Sequence, residues 1–298
     1  MMDFEIALKD GGAEMAMRNL FPAGAESEKQ PIQIYSLGHF AVVKDGKPLS
    51  FGAKIPRKPM SLLKAALASG GMDVSSQELI AALWSDAEGD VARNAFDVAL
   101  YRLRKLIGRN DAILLQAEKL SLNPSAVWVD AWELERIFTM LQTAVGDSQP
   151  TLALLVERML KLYRGPFLSG ESEPWLFAAR ERLRMKFHRH AGIAGLRLER
   201  DGGFDAAAET YQRALELDPL AEEFYRRLML CHKQTGRIVE ALAAYRRCRD
   251  LFSITLGIQP SDAAGLPFAV VITIFPIRKA AVRPRPPYWR EAAIPGYG

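Results

Sequence analysis

Four pairs of residues recur at one interval in the C-terminal half of the chain: Gly202 and Gly236, Ala207 and Ala241, Tyr211 and Tyr245, and Ala214 and Cys248 each stand 34 apart. A chain that repeats itself at this spacing is confined to stacked helical units, because one unit is too short to bury its own apolar face and closes only against its neighbour. Within "DGGFDAAAETYQRALELDP" the alanines let paired helices approach, Tyr211 fills the space between them, and Pro219 ends the second helix.

This is the period of the tetratricopeptide repeat. From Asp130 to Gly257 the pattern is helical throughout, punctuated by Gly165-Pro166, Gly202-Gly203, Pro219 and Gly236. Two repeats are clear, and so short a stack needs capping helices, predicted within Trp132 to Arg158 and Pro174 to Arg189. Cys231 and Cys248 fall in helical segments, where they read as small buried hydrophobes of a protein in a reducing compartment.

The half before Asp130 has another texture. Residues 1–30 end in the polar "PAGAESEKQP" and read as a flexible leader. "IQIYSLGHFAVV" is rich in β-branched and aromatic residues, Asp45-Gly46 is a hairpin turn pair, and "KPLSF" returns as a strand, which predicts a small antiparallel sheet. "KPMSLLKAALASG" follows as a helix with Met60, Leu63 and Leu67 on one stripe and Gly70-Gly71 as its stop. "SSQELIAALW" is a second helix, opened by a Ser75/Glu78 capping box and burying Leu79, Ile80 and Leu83.

"RNAFDVALYRLRKLIG" is the third helix. At helical spacing Ala92, Phe96, Ala99, Leu100, Leu103 and Ile107 share one face, while Asn94, Asp97, Val98, Tyr101, Arg102 and Lys105 stand opposite and Arg93 and Arg104 lie on the flank. "AILLQAEKLSLN" then reads as two short strands joined around Ala117 to Lys119, and "VWVDAWELERIF" as a return strand and a helix opened by Asp130, with Glu133 completing a second capping box. Sheet, three helices and hairpin, the last helix basic on its outer side, suit a winged helix-turn-helix, since the major groove admits one helix and the hairpin reaches the adjacent backbone, while the helix taken alone fits a merely solvated charged face equally well.

In family order, "LGHFAVVKDGKPL", "RKPMSLLKAAL", "ELIAALW", "ARNAFDVALYRLRKLIG", "VWVDAWELE", "LYRGPFLSGESEPW" and "EALAAYRRCRDLFSITLGIQPSD" make the chain resemble the bacterial transcriptional activators typified by the Streptomyces antibiotic regulatory proteins. The resemblance spans Ile32 to Asp262 and implies an α+β winged helix-turn-helix followed by an all-α tetratricopeptide-like activator domain. Behind the leader (1–30) it divides the chain into a winged-helix DNA-binding domain (31–127) and the activator domain (128–262), and it fails at an atypical, poorly ordered tail (263–298), a divergent extension or the product of a shifted reading frame, whose prolines forbid one continuous helix. It further implies binding of double-stranded promoter DNA, often at direct repeats and hence with self-association on DNA, and engagement of RNA polymerase in a bacterial cytoplasm, at the nucleoid.

On that reading Asn94, Asp97, Tyr101, Arg102 and Lys105 face the groove. Arg102 and Lys105 meet guanine or phosphate, Asn94 suits adenine, and Asp97 either accepts from cytosine or, the favoured role, holds Arg93 or Tyr101. Arg93 and Arg104 are expected as backbone clamps, Arg57 and Lys58 ahead of the first helix as phosphate contacts, and Lys119 as a wing contact, with ordinary surface charge the competing account of the last three. Trp84 resembles part of a polymerase-touching segment, although a core anchor is the favoured role.

A net charge of +4 permits a polyanionic partner without requiring one. The acidic Asp3 and Glu5 argue against a signal peptide, and the apolar run Leu266 to Ile277 is broken by Pro267 and Pro276 and falls short of the roughly 20 residues of a membrane span. No phosphate loop, HExxH pair or nucleophile elbow occurs, and His188 and His190 diverge on one helix, so neither enzyme, cofactor nor metal centre is expected. The rival from another class is a protein-interaction adaptor that uses the helical repeats without DNA.

Overall fold

The computed structural model describes residues 30–49, 57–143 and 149–256. The predicted leader before Gln30, Ser50 and Phe51 of the return strand, and everything after Leu256, including the predicted tail, lie outside the described residues.

Among the described residues the N-terminal part holds two sheets and three α-helices. Strands β1 (Ile32–Tyr35), β2 (Ala41–Lys44) and β3 (Lys47–Pro48) are antiparallel, and β2 turns into β3 through Asp45 and Gly46 at φ 48° and 75°, the left-handed pair that a tight hairpin demands. Helices α1 (Arg57–Ala68), α2 (Ser76–Leu83) and α3 (Gly89–Ile107) follow, with a short strand β4 (Val74–Ser75) ahead of α2. A hairpin of β5 (Ile113–Gln116) and β6 (Lys119–Leu122) pairs with β4 to make the second sheet, in order β4-β6-β5. This is a winged helix, with the hairpin as wing.

Three details depart from the sequence expectations. The opening sheet is mixed rather than antiparallel, because β7 (Val127–Val129) lies parallel to β1 at its edge. The Ser75/Glu78 capping box does not form: Ser75 is committed to β4, pairs with Lys119 and makes no side-chain cap bond. The Asp130/Glu133 box is also replaced, since Asp130 reaches across to Ser36 and Leu37 while Glu133 pairs with Arg136 and Arg158. In each case a tertiary partner outcompetes the local one.

Helices α4 (Asp130–Thr143), α5 (Gln149–Leu162), α6 (Phe177–Arg200), α7 (Phe204–Leu217), α8 (Glu222–Gln234) and α9 (Ile238–Leu256) form the C-terminal stack. Ala207, Tyr211, Ala214, Ala241 and Cys248 of the 34-residue register are buried, and Tyr245 is half-buried. The segment predicted as a second cap comprises a 3-10 turn (Pro174–Leu176) and the first half of α6, which packs against α7. At Gly195 of α6 an added Cβ would overlap the Tyr211 ring, so glycine sets how closely these two helices pack. His188 stacks on Phe224 and His190 on Phe138, and the two rings diverge inside the stack.

"LYRGPFLSG" proves to be the buckle between the two halves. Gly38, at φ 99°, brings the β1–β2 corner against Gly165, and Gly38 N–H donates to Pro166 O (3.1 Å), Leu168 N–H to Ser36 O (2.7 Å) and Ser169 N–H to Gly38 O (2.6 Å). Arg180 holds the far side by donating to the carbonyls of Phe167, Leu168 and Glu171. Arg182 caps the C-terminal end of α1 through Ala68 O (2.9 Å), and Lys64 of α1 pairs with Glu171. One buried apolar cluster runs from Ile32 through Phe96 and Phe167 to Phe252, so the winged helix sits on a fixed base.

Candidate nucleic-acid interface

Helix α3 carries the candidate surface. Its buried residues are Ala92, Phe96, Ala99, Leu100, Leu103 and Ile107, the stripe that helical spacing selects, and Gly108 in the left-handed conformation ends the helix. Asn94, Asp97, Tyr101, Arg102 and Lys105 are exposed on the far side, with Tyr101 at 64%. Lys105 Nζ lies 6.0 Å from the Tyr101 ring centre, a cation–π approach that keeps the ammonium on the outer face. Asn94 and Arg102 have no side-chain hydrogen bond or ion pair among the described residues.

The flanking cations are engaged. Arg93 donates to both carboxylate oxygens of Glu118 in the wing turn, one bond at 2.9 Å, and its Nε lies 3.4 Å from Asp97. Glu118 also accepts from Ser76 Oγ at 2.6 Å, and the Arg93 and Ser76 hydrogen bonds draw its carboxyl down to about 2, while Arg93 is raised by the same pairing. Arg104 Nε donates to Ile113 O at 3.0 Å and so fastens the end of α3 to the wing strand.

The wing itself is tight. Ala117 and Glu118 form its turn at φ 46° and 62°, a left-handed pair without glycine or asparagine, and the Glu118 backbone carbonyl accepts from Ser76 N–H at 2.8 Å. Unfavourable turn residues are thus held by side-chain and backbone bonds to α2 and α3. Lys119 follows at the start of β6 and is exposed. No local signal pointed to Glu118 as the partner of Arg93, because the two are 25 residues apart and meet only through the fold.

The cations of α1 are divided. Arg57 and Lys58 are the first two residues of the helix, both exposed, rather than a stretch preceding it. Lys58 Nζ donates to Leu83 O at 2.6 Å and lies over the Trp84 ring, so it closes the C-terminal end of α2. Trp84 packs on the core edge-on to Phe96, at 6.4 Å between ring centres. Among the described residues there is no group of three or more His, Cys, Asp or Glu that could hold a metal ion, and no helix is long and apolar enough to cross a membrane.

Comparison with known proteins agrees with this architecture. The family model of the bacterial transcriptional activator domain matches residues 129–264. No curated protein matches the chain. Among solved structures, Mycobacterium tuberculosis EmbR in complex with a low affinity phosphopeptide is similar at a TM-score of 0.62 and 19% identity, over 82% of this chain and 66% of that one. At this identity the likeness establishes the fold. A second structure, MamA AMB-1, aligns at 18% identity over 65% of this chain and 91% of that one, and its TM-score of 0.21 carries no argument. Residues 129–264 are therefore similar to the bacterial transcriptional activator domain, and the fold places a winged helix in front of them.

Proposed function

We propose that the chain is a sequence-specific DNA-binding transcription regulator that lays α3 in the major groove of promoter DNA and the β5–β6 wing along the neighbouring backbone. The observation that carries this reading is the outer row of α3, where Asn94 and Arg102 are exposed without partners beside Tyr101 and Lys105. Water satisfies these groups in the free protein, and the major groove presents donors and acceptors that can take its place. Arg102 and Lys105 take guanine or phosphate, Asn94 takes adenine, and Asp97 holds Arg93. Arg93, Arg104, Arg57, Lys58 and Lys119 lie around the row as backbone contacts, with Arg104 and Lys58 acting chiefly through the struts they already form.

Activation through RNA polymerase, self-association on repeated sites and a place at the bacterial nucleoid belong to the same proposal, and the bacterial transcriptional activator domain supports the first of these. The adaptor reading has one observation in its favour: a cleft of about 450 Å³ between α5, α6 and α7, floored by Val156, Leu160 and Leu198 and edged by Glu157, Lys161 and Arg213. The two readings part on DNA. Titration of the purified chain with promoter duplexes and with random duplex at several salt concentrations is expected to give preferential binding, with log affinity falling by about 0.9 per log unit of salt for each phosphate contact. Absence of binding to any duplex would leave the adaptor.

A further inference from the structure

The outer face of α3 is not wholly polar. At about 100° per residue, Val98 lies roughly 200° round the helix from Phe96 at the centre of the buried stripe, between Lys105 at roughly 180° and Val91 at roughly 220°. Asn94, Val98 and Arg102 form one ridge at i, i+4 spacing, with the valine between the two unpartnered polar side chains. Val98 is 48% exposed and Val91 66%, and neither belongs to a hydrophobic cluster of the described residues.

The fold gains little from a valine there. A β-branched side chain loses rotamer freedom on a helix and forms helix less well than alanine. Single exposed apolar residues are ordinary on protein surfaces; what sets this one apart is its place at the middle of the row between Asn94 and Arg102. The major-groove edge of a base pair offers donors and acceptors and one apolar feature, the C5 methyl group of thymine.

Resting on the function proposed above, we infer that Val98 is a specificity residue that packs its two methyl groups against a thymine methyl, between the bases addressed by Asn94 and Arg102. The recognised half-site then contains a thymine in its middle, selected by shape and desolvation rather than by a hydrogen bond. Val91, one heptad back and nearer the start of the helix, lies on the same stripe and extends the apolar strip toward the groove edge.

Replacing single thymines by deoxyuridine in a footprinted duplex removes the methyl group and leaves the pairing and every donor and acceptor unchanged. For the unmodified chain the expected result is a loss of about fourfold in affinity at one or two thymines, the worth of one buried methyl-sized group. Val98→Ala should bind thymine and deoxyuridine equally at those positions, and should melt at the same or a slightly higher temperature, because Val98 lies outside the core and alanine favours the helix. Identical thymine dependence in Val98→Ala, or an unmodified chain indifferent to every swap, overturns the inference while DNA binding stands. A chain that prefers no promoter duplex over random duplex, run side by side, overturns the inference together with the function on which it rests.

Discussion

Arg93, at the start of the exposed helix, holds both carboxylate oxygens of Glu118 at the wing turn, so the two elements that would straddle DNA are tied to each other in the free protein. The pair is exposed, and an approaching phosphate competes with the carboxylate for the same guanidinium. Glu118→Gln should therefore release Arg93 toward the backbone. Affinity for all duplexes should rise alike, with the salt slope steeper by about 0.9. An unchanged slope in a salt titration would mean that Arg93 stays with the wing when DNA is bound.

Arg102 and Lys119 should fail in different ways. Arg102→Ala is expected to cost roughly 1–3 kcal/mol of binding and to relax the preference at one base position, whereas Lys119→Ala should weaken all sequences alike and lower the salt slope by about 1. Equilibrium binding to a set of duplexes with single base changes separates the outcomes. Uniform loss in both variants would make Arg102 a backbone contact.

The Asp130 carboxylate, fully buried, accepts from Ser36 Oγ (2.6 Å), Ser36 N–H (2.8 Å), Leu37 N–H (2.9 Å) and Ala131 N–H (2.8 Å). It joins α4, the first helix of the C-terminal stack, to the corner of the N-terminal sheet. Asp130→Ala strands several buried donors and should lower stability by about 3 kcal/mol. Asp130→Asn, which keeps acceptor capacity on one oxygen, should lose less. Urea unfolding followed by far-UV and by Trp fluorescence measures both, and the two probes should shift together because the halves share one core.

Acid should weaken the fold through its histidines. Burial is the first cause that pushes His39, His188, His190 and His232 below their ordinary value of 6.5. The unfolded chain then takes up protons near pH 6.5 while the folded chain resists until lower pH, so stability is present above that value and is lost as pH falls through the depressed folded values. Asp130 opposes this trend at lower pH, since burial raises its carboxyl and protonation then favours the folded state. A melting temperature that falls from about pH 7.5 to about pH 5.5 is expected, and a flat profile would contradict it.

The composition of the two halves, the 34-residue register of the stack and the buried stripe of α3 were legible in the residues themselves, because periodicity reports which side of an element must be dry. The row of candidate contact residues followed from the same arithmetic, as the complement of that stripe. The capping boxes at Ser75 and Asp130 misled because their residue pattern is local, and the local bond lost to a strand partner in one case and to Ser36 and Leu37 in the other.

Helical repeats, a wing and an amphipathic basic helix were thus written along the chain, since each depends on the spacing of neighbours. Which cations stand free was decided only in three dimensions: Arg93 and Arg104 lie in the same charged stretch as Arg102, Lys58 lies in the first turn of α1, and contacts with Glu118, Ile113 and Leu83 engage these three while leaving Arg102 open. Long-range pairing of this kind brings together residues that carry no shared pattern in sequence, and a charged side chain takes its role from the partner that the fold places within reach.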